Sequence, residues 1–349
     1  MAPLSTADLD HVLSHTADVW PEVRGRRLFI TGGTGFFGCW LLESLAWANQ
    51  HLNLGAEALV LTRSTEAFRR KAPHLASNPA FHFHEGDVRD FTFPDGEFPL
   101  VIHAATAASD ALNRGSPLVM LDTIIEGTRR TLEFAATHGA RKFLLTSSGA
   151  VYGRQPPEMT HVPEEYGGGP APMDAASAYG EGKRVAEFLG ATAAARGGPE
   201  VKIARCFALV GPYLPLDAHY AVGNFLGDLL AGRPILVKGD GTPCRSYLYA
   251  ADLTVWLWTI LVRGRSCRPY NVGSEHLISI ADLARVVAGL ADPPAEVRLP
   301  AAPPPGALPV RYVPSTRRAR EELGLKEHID LAEALRRTIA WHRQPPTQS

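Results

Sequence analysis

From Arg27 to Phe207, short apolar runs alternate with longer amphipathic stretches. Arg27–Thr31, Ala58–Thr62, Phe81–Glu85, Leu100–His103, Lys142–Ser147 and Val201–Phe207 are runs of four to seven residues and predict strands. Gly35–Asn49, Pro117–His138 and Ser177–Arg196 carry a helical period instead, with Leu41, Leu42 and Leu45 on the buried stripe of the first. Strands that are apolar throughout are covered on both faces, and the intervening helices supply the cover. The alternation therefore predicts an α/β fold built on a doubly wound parallel sheet. Beyond Phe207 the regularity fails: Gly- and Pro-rich loops mix with short helices such as Ala221–Leu230 and Ser279–Leu290, and Pro293–Pro305 is proline-rich. That texture predicts a smaller C-terminal lobe closing over the strand ends, where such sheets bind their ligands. Ahead of the first strand, Ser5 with Asp8 resembles a capping box, Leu9, Val12 and Leu13 follow on one face, and Trp20 is placed as an anchor. The expected division is an N-terminal helical extension (1–24), a sheet-forming domain (25–206) to which 246–275 returns, and a substrate lobe (207–245 and 276–345).

The first strand runs into Thr31-Gly32-Gly33-Thr34-Gly35-Phe36-Phe37-Gly38. Gly32, Gly35 and Gly38 lie three apart where strand becomes helix. A turn that bends tightly, admits a pyrophosphate with no Cβ in the way, and aims free helix N–H groups at it binds a dinucleotide. Gly32, Gly35, Phe36, Phe37 and Gly38 are therefore the expected cofactor turn. The second strand ends Leu61-Thr62-Arg63-Ser64, with no carboxylate to bond ribose hydroxyls. Arg63 and Ser64 suit a 2′-phosphate, which favours NADP over NAD; the plainer role for Arg63 is a solvated loop arginine.

The fifth strand leads into Ser147-Ser148-Gly149-Ala150-Val151-Tyr152-Gly153, and the next helix carries Tyr179-Gly180-Glu181-Gly182-Lys183. Tyr179 and Lys183 are one helical turn apart and share a face. An ammonium beside a phenol is expected to lower the phenol pKa from about 10 toward working pH. Such a tyrosine exchanges a proton with a substrate alcohol while a nicotinamide takes or returns a hydride, and Ser148 bonds the same oxygen. Ser148, Tyr179 and Lys183 are the expected catalytic set, Tyr179 and Lys183 also touching the cofactor.

The glycine spacing resembles that of the short-chain dehydrogenase/reductase superfamily. With the serine, tyrosine and lysine, the whole set resembles its extended branch, the NAD-dependent epimerase/dehydratase family that modifies nucleotide sugars. The resemblance runs from about Arg26 to Trp341 and implies a Rossmann-like cofactor domain. It further implies cofactor contacts from Asp87 and Val88 after the third strand, and from His103, Ala104 and Ala105 at the end of the fourth. Gly239-Asp240-Gly241-Thr242-Pro243-Cys244-Arg245, continuing to Tyr249 and Asp252, is similar to the family's substrate-lobe signature, and Asn271-Val272-Gly273 to another recurring element. By that resemblance Arg245 holds the substrate pyrophosphate and Asn224 contacts diphosphate or sugar; the plainer roles are a surface ion pair and a helix cap. Arg311 and Arg317 either face the nucleotide or form a solvated basic patch. A homodimer, paired through the helices near Pro117–His138 and Ser177–Arg196, is also implied.

Departures from the family pattern narrow the chemistry. Its 4,6-dehydratases carry Asp-Glu after the catalytic hydroxyl, and the related decarboxylases keep the glutamate. Here Gly149 and Ala150 stand in those places, and neither moves a proton. Ile124 replaces an asparagine near the cofactor. The favoured reading is a 4-epimerase-type reaction through a transient 4-keto sugar, with Tyr179 as base. An NADPH-dependent nucleotide 4-keto-sugar reductase is the alternative, reduction of a non-sugar carbonyl a lesser one, and a non-catalytic NAD(P)-binding sensor or scaffold the alternative of another class. Selectivity is expected in the loops Gly167–Ala175 and Pro212–His219.

Composition excludes other classes. The 349 residues are 45% hydrophobic and 20% charged, enough to bury a sizeable core. Thirty-five Lys and Arg against 36 Asp and Glu give a formal charge of −1, which argues against nucleic acid or an anionic membrane as partner. The apolar run Val255–Val262 has the length of a core helix, so no membrane span is expected, and the first residues lack the pattern of a signal peptide. Cys39, Cys206, Cys244 and Cys267 form no C-x-x-C pair and the histidines no ligand spacing; the expectation is reduced thiols in a cytoplasmic protein and no metal site.

Overall fold

The computed structural model describes residues 1–106, 110–218, 220–300 and 308–344; part of the proline-rich stretch, His219 and residue 345 lie outside the described residues. Seven strands form the central sheet: β1 (Arg27–Thr31), β2 (Glu57–Thr62), β3 (Phe81–Glu85), β4 (Leu100–His103), β5 (Lys142–Ser148), β6 (Glu200–Cys206) and β7 (Pro269–Val272). Every pairing is parallel, in the order β7-β6-β5-β4-β1-β2-β3. The order reverses between β1 and β4, which opens a crevice above their carboxyl ends. This is the doubly wound, Rossmann-like sheet that the alternation implied. Six of the strands match the predicted ones, with ends that agree to within one residue. β7 has no counterpart among them. It is short, begins with Pro269 and carries the polar Asn271, and it survives because it pairs only with β6. An edge position needs no N–H from a proline.

Six of the helices shape the crevice or the core beneath it: α1 (Thr6–His15), α2 (Phe36–Leu52), α3 (Pro117–Thr137), α4 (Ala178–Ala195), α5 (Ala221–Leu230) and α6 (Ala250–Arg263). Successive strand residues face opposite sides, and each side of the sheet has its own core. Leu28 and Ile30 of β1 and Leu144 of β5 join α2 and α6. Phe29, Phe143 and Leu145 join Met120, Ile124 and Phe134 of α3 and Ala186 of α4. β1 and β4, buried on both faces, thus require a helical layer on each side of the sheet.

α6 is buried at every position from Ala250 to Val262, Trp256 and Trp258 included. A helix apolar on all sides needs cover on all sides. β5 and β6 cover one side of it, and α1 and α2 pack against it as well. The N-terminal extension is therefore part of the core. Ser5 caps α1 as its spacing predicts, accepting from the Asp8 amide at 3.1 Å. Asp8 Oδ2 then accepts from the Tyr249 hydroxyl at 2.9 Å, and His11 Nε2 meets the buried Asp252 at 2.8 Å. The Trp20 and Trp258 rings lie 5.2 Å apart. In the later part of the chain, Cys244–Arg245 runs between Ile278–Ser279 and Arg311–Tyr312 in a small sheet. Among the described residues no helix is long and apolar enough to cross a membrane, and the four cysteines are free.

Trp20 is 1% exposed although it precedes the sheet domain. Trp20→Ala is expected to lower stability by about 3–5 kcal/mol, read as a lower urea midpoint with an unchanged slope.

Candidate active site

At the end of β1 the chain turns at Gly32, which has φ +71° and where a Cβ would stand 2.5 Å from the Ala104 carbonyl carbon. Both facts exclude a side chain. Gly38, in the first turn of α2, faces Gly33 so closely that a Cβ would come within 2.3 Å of its Cα. These approaches seat α2 directly against β1. Gly35 differs: it is exposed, and only the Gly32 carbonyl oxygen, at 3.3 Å, would meet a Cβ there. Its free face borders the crevice. The first bond inside α2 is Cys39 N to Gly35 O at 3.0 Å, so the N–H groups of Phe36, Phe37 and Gly38 precede the helical ladder. With the positive end of the helix dipole they form an anion cradle, and the turn fits the pyrophosphate of a dinucleotide. Gly32, Gly35, Phe36 and Phe37 line the crevice, whereas Gly38 acts through backbone packing.

The crevice is a cleft of about 850 Å³. β5 delivers Ser148 to its wall, and the Ser148 hydroxyl accepts from Ala150 N at 3.2 Å, capping the tight turn that follows. α4 starts at Ala178, which places Tyr179 in its first turn and Lys183 one turn on, both on the same wall. Lys183 is almost wholly buried; its ammonium donates to Thr146 O at 2.8 Å and lies 5.9 Å from the Tyr179 ring centre. Burial pushes the Lys183 pKa down to about 8. The Tyr179 phenol moves the opposite way: desolvation raises it above its ordinary value, and the Ser148 hydroxyl offsets this only in part. The depression expected from Lys183 is not found. Its ammonium is engaged with a backbone carbonyl, and burial outweighs what it offers the phenol.

Arg245 and Asn224 also line the cleft. Arg245 Nη1 donates to Cys244 O at 2.9 Å, with its guanidinium 5.7 Å from the Tyr312 ring centre. Lys238, absent from the sequence-based candidates, adds a cation to Lys183 and Arg245. No Asp, Glu or His is found among the described residues lining the cleft. Tyr312 is another residue the sequence did not reveal. The strand register sets it opposite Arg245, and its hydroxyl stands 3.4 Å from Ser148 Oγ, with burial pushing its pKa up to about 12. The candidate was its neighbour Arg311, which donates to Pro157 O; neither Arg311 nor Arg317 lines the cleft. Gly149 shows why no side chain follows the serine. A Cβ there would come within 2.6 Å of the Phe207 ring and 2.8 Å of the Tyr312 hydroxyl.

The remaining expected cofactor contacts divide. Ala104 lines the cleft. His103 does not: it is buried, with Nδ1 at 2.8 Å from Thr31 Oγ1 and Nε2 at 3.1 Å from Thr128 Oγ1, and burial pushes its pKa down to about 3. It joins β4 to β1 and α3 as a buried strut, and it is not among the residues lining the cleft. Ala105 N donates to Thr31 Oγ1 at 3.2 Å. Asp87 is clasped by the Arg89 guanidinium at 2.8 and 3.1 Å, which holds its carboxyl below the usual range, while Val88 packs on Gly127 of α3. Arg63 is exposed and near enough to Asp87 to add to that lowering. The Ser64 hydroxyl caps helix Thr65–Lys71, accepting from Ala67 N at 3.1 Å. Ile124, in place of the family's asparagine, packs where a Cβ on Gly182 would stand.

The NAD dependent epimerase/dehydratase family model matches residues 28–273. Over 315 residues the chain is 33% identical to UDP-glucuronic acid decarboxylase 1 of Arabidopsis thaliana, which covers 90% of this chain and 69% of that protein. Among solved structures, UDP-glucose 4-epimerase of Thermotoga maritima, with UDP-glucose, has a TM-score of 0.74 at 22% identity, covering 91% of this chain and 98% of its own. An NAD dependent NDP-hexosamine 5,6-dehydratase involved in tunicamycin biosynthesis gives 0.73 at 27%, again over 91% and 98%. The family match takes in the glycine turn, Ser148, Tyr179, Lys183 and Arg245, and this chain belongs to the NAD-dependent epimerase/dehydratase family.

Proposed function

We propose that the chain is an NAD(P)-dependent enzyme acting on a nucleotide sugar, by a 4-epimerase-type reaction through a transient 4-keto sugar. One observation carries the reading: the cleft brings Ser148, Tyr179 and Lys183 together with Arg245 and Lys238, with no carboxylate or imidazole among its described lining residues. A bound nicotinamide supplies hydride acceptance and return. Arg245 and Lys238 hold the diphosphate, the first as a planar fork and the second as a point charge. The sugar is then directed to Ser148 and Tyr179. Ser148 fixes the reacting oxygen; Tyr179, acting as its phenolate, takes the proton of that oxygen during oxidation and gives it back during reduction, when the phenolate re-forms. The Lys183 ammonium, one turn along α4, is the charge that stabilises the phenolate as it forms.

Elimination of water needs an acid and a base beside the sugar ring. Gly149 and Ala150 provide neither, and at Gly149 Phe207 and Tyr312 leave no room for a side chain. The decarboxylase relatives support a second reading, oxidation of a nucleotide uronate at C4 followed by loss of CO2. Both begin with the same proton and hydride transfer. Arg63, with no carboxylate at Thr62, supports NADP over NAD and thereby keeps the 4-ketoreductase in play. Exposed Leu118 and Val119 on α3 and Phe188 on α4 support a homodimer paired through those helices.

Turnover of UDP-glucose to its C4 epimer with no added dinucleotide and no net NAD(P)H is the expected result. CO2 released from UDP-glucuronic acid would establish the decarboxylase instead, and stoichiometric NADPH oxidation by a 4-keto sugar the reductase. Tyr179→Phe should lower kcat by about 10²–10⁴ while leaving dinucleotide affinity little changed. The folded-state pKa of Lys183 is about 8 against an ordinary 10.5, so the unfolded chain binds the extra proton between those values. Stability should therefore rise with pH across that window, and the Lys183 part of the rise should vanish in Lys183→Met. Urea midpoints at about pH 7 and about pH 9.5 check it.

A further inference from the structure

Away from the reacting hydroxyls, a buried polar cluster joins a wall of the cleft to the cofactor helix. The segment that follows β6 contributes Leu214 and Pro215 to that wall. Just before them Tyr213 has φ +70°. A bulky residue keeps that left-handed backbone only where its surroundings over-determine it. Its side chain does so here. Tyr213 is 2% exposed, its ring packs on Trp341 with centres 4.8 Å apart, and its hydroxyl donates to Glu43 Oε1 at 2.7 Å, with Ala2 O at 3.3 Å.

Glu43 belongs to α2 and is 5% exposed; the same carboxylate oxygen meets His74 Nε2 at 2.7 Å and accepts from Leu4 N at 3.3 Å. Trp40, one turn earlier on α2, donates from Nε1 to Pro212 O at 2.9 Å. The helix whose N-terminus forms the pyrophosphate cradle thus grips the segment at two successive residues. Further along, the segment's backbone abuts α5: a Cβ on Gly223 would stand 2.6 Å from Pro215 O, and one on Gly227 3.2 Å from Leu216 O. Asn224, between those glycines, lines the cleft.

We infer that Tyr213 is a positioning residue for the nucleotide diphosphate. Its bond to Glu43 fixes residues 211–218, and through them Asn224, so the substrate wall takes its position from the cofactor helix. The inference rests on the nucleotide-sugar reading of the cleft. Tyr213 is not itself among the lining residues and acts only through what it holds.

The test uses full-length Tyr213→Phe, which keeps the ring and loses the hydroxyl, with Glu43→Gln, Glu43→Ala and the Tyr213→Phe/Glu43→Ala double variant. UDP and NAD are titrated separately by calorimetry, and backbone amide exchange is followed by mass spectrometry. Tyr213→Phe should weaken UDP by about tenfold, as for loss of one hydrogen bond to a charged group, and leave NAD within about twofold. Exchange should quicken across Leu214–Ala218 and Ala221–Asn224 and stay unchanged across Thr31–Gly38. Glu43→Gln, which keeps an acceptor oxygen, should retain UDP affinity, and the double variant should bind UDP no more weakly than Glu43→Ala. Unchanged UDP affinity in folded Tyr213→Phe, unchanged exchange, or additive losses in the double variant would overturn the inference. Absence of UDP binding by the unaltered protein would sink the nucleotide-sugar reading instead, while the exchange data still decide whether Tyr213 holds the segment.

Discussion

α2 begins where it does because two pairs of backbones meet with no side chain between them, Gly38 against Gly33 and Gly32 against Ala104. Interiors packed at crystal density do not absorb an extra methyl at such a contact. The free amides of Phe36 and Phe37 reach the crevice only from that seat. The next turns inherit the same reference: Trp40 and Glu43 reach the segment after β6, and Ser44 Oγ accepts from Trp258 Nε1 of α6 at 2.9 Å. The glycine turn, the segment after β6 and the buried α6 are thus positioned from one helix, and α1 closes the outside of the same core.

The reacting groups obey a second rule, that removing water costs a charged form more than one distant charge returns. Tyr179 and Lys183 are both displaced toward neutrality, the phenol up and the ammonium down. Cys206 on the same wall behaves likewise, its thiol pushed up to about 12.

How much the sequence discloses depends on how local each signal is. Strand runs and helical periods are properties of consecutive residues, so the sheet and its helices can be read directly. Gly32 to Gly38, Ser148, and the Tyr179–Lys183 pair are local too. Lys238, Tyr312 and Tyr213 are not legible, because each gains its meaning from a partner far along the chain: Tyr312 from pairing beside Arg245, Tyr213 from Glu43. Arg311 and Tyr312 illustrate the limit, since adjacent strand residues face opposite ways and nothing local says which faces in. His103 shows the same limit. Its place at the end of β4 is evident, but not that Thr31 and Thr128 occupy both ring nitrogens. The phenol pKa is misjudged from sequence because helical spacing reports that two side chains share a face and says nothing of a carbonyl such as Thr146 O that engages the ammonium.

The crowding at Gly149 constrains how this cleft could change its chemistry by descent. An acid introduced there first collides with Phe207 and Tyr312. Shrinking either ring first leaves a void with no new proton to offer. Each route gives up packing before any proton is gained, so a change at this one position demands paired substitutions.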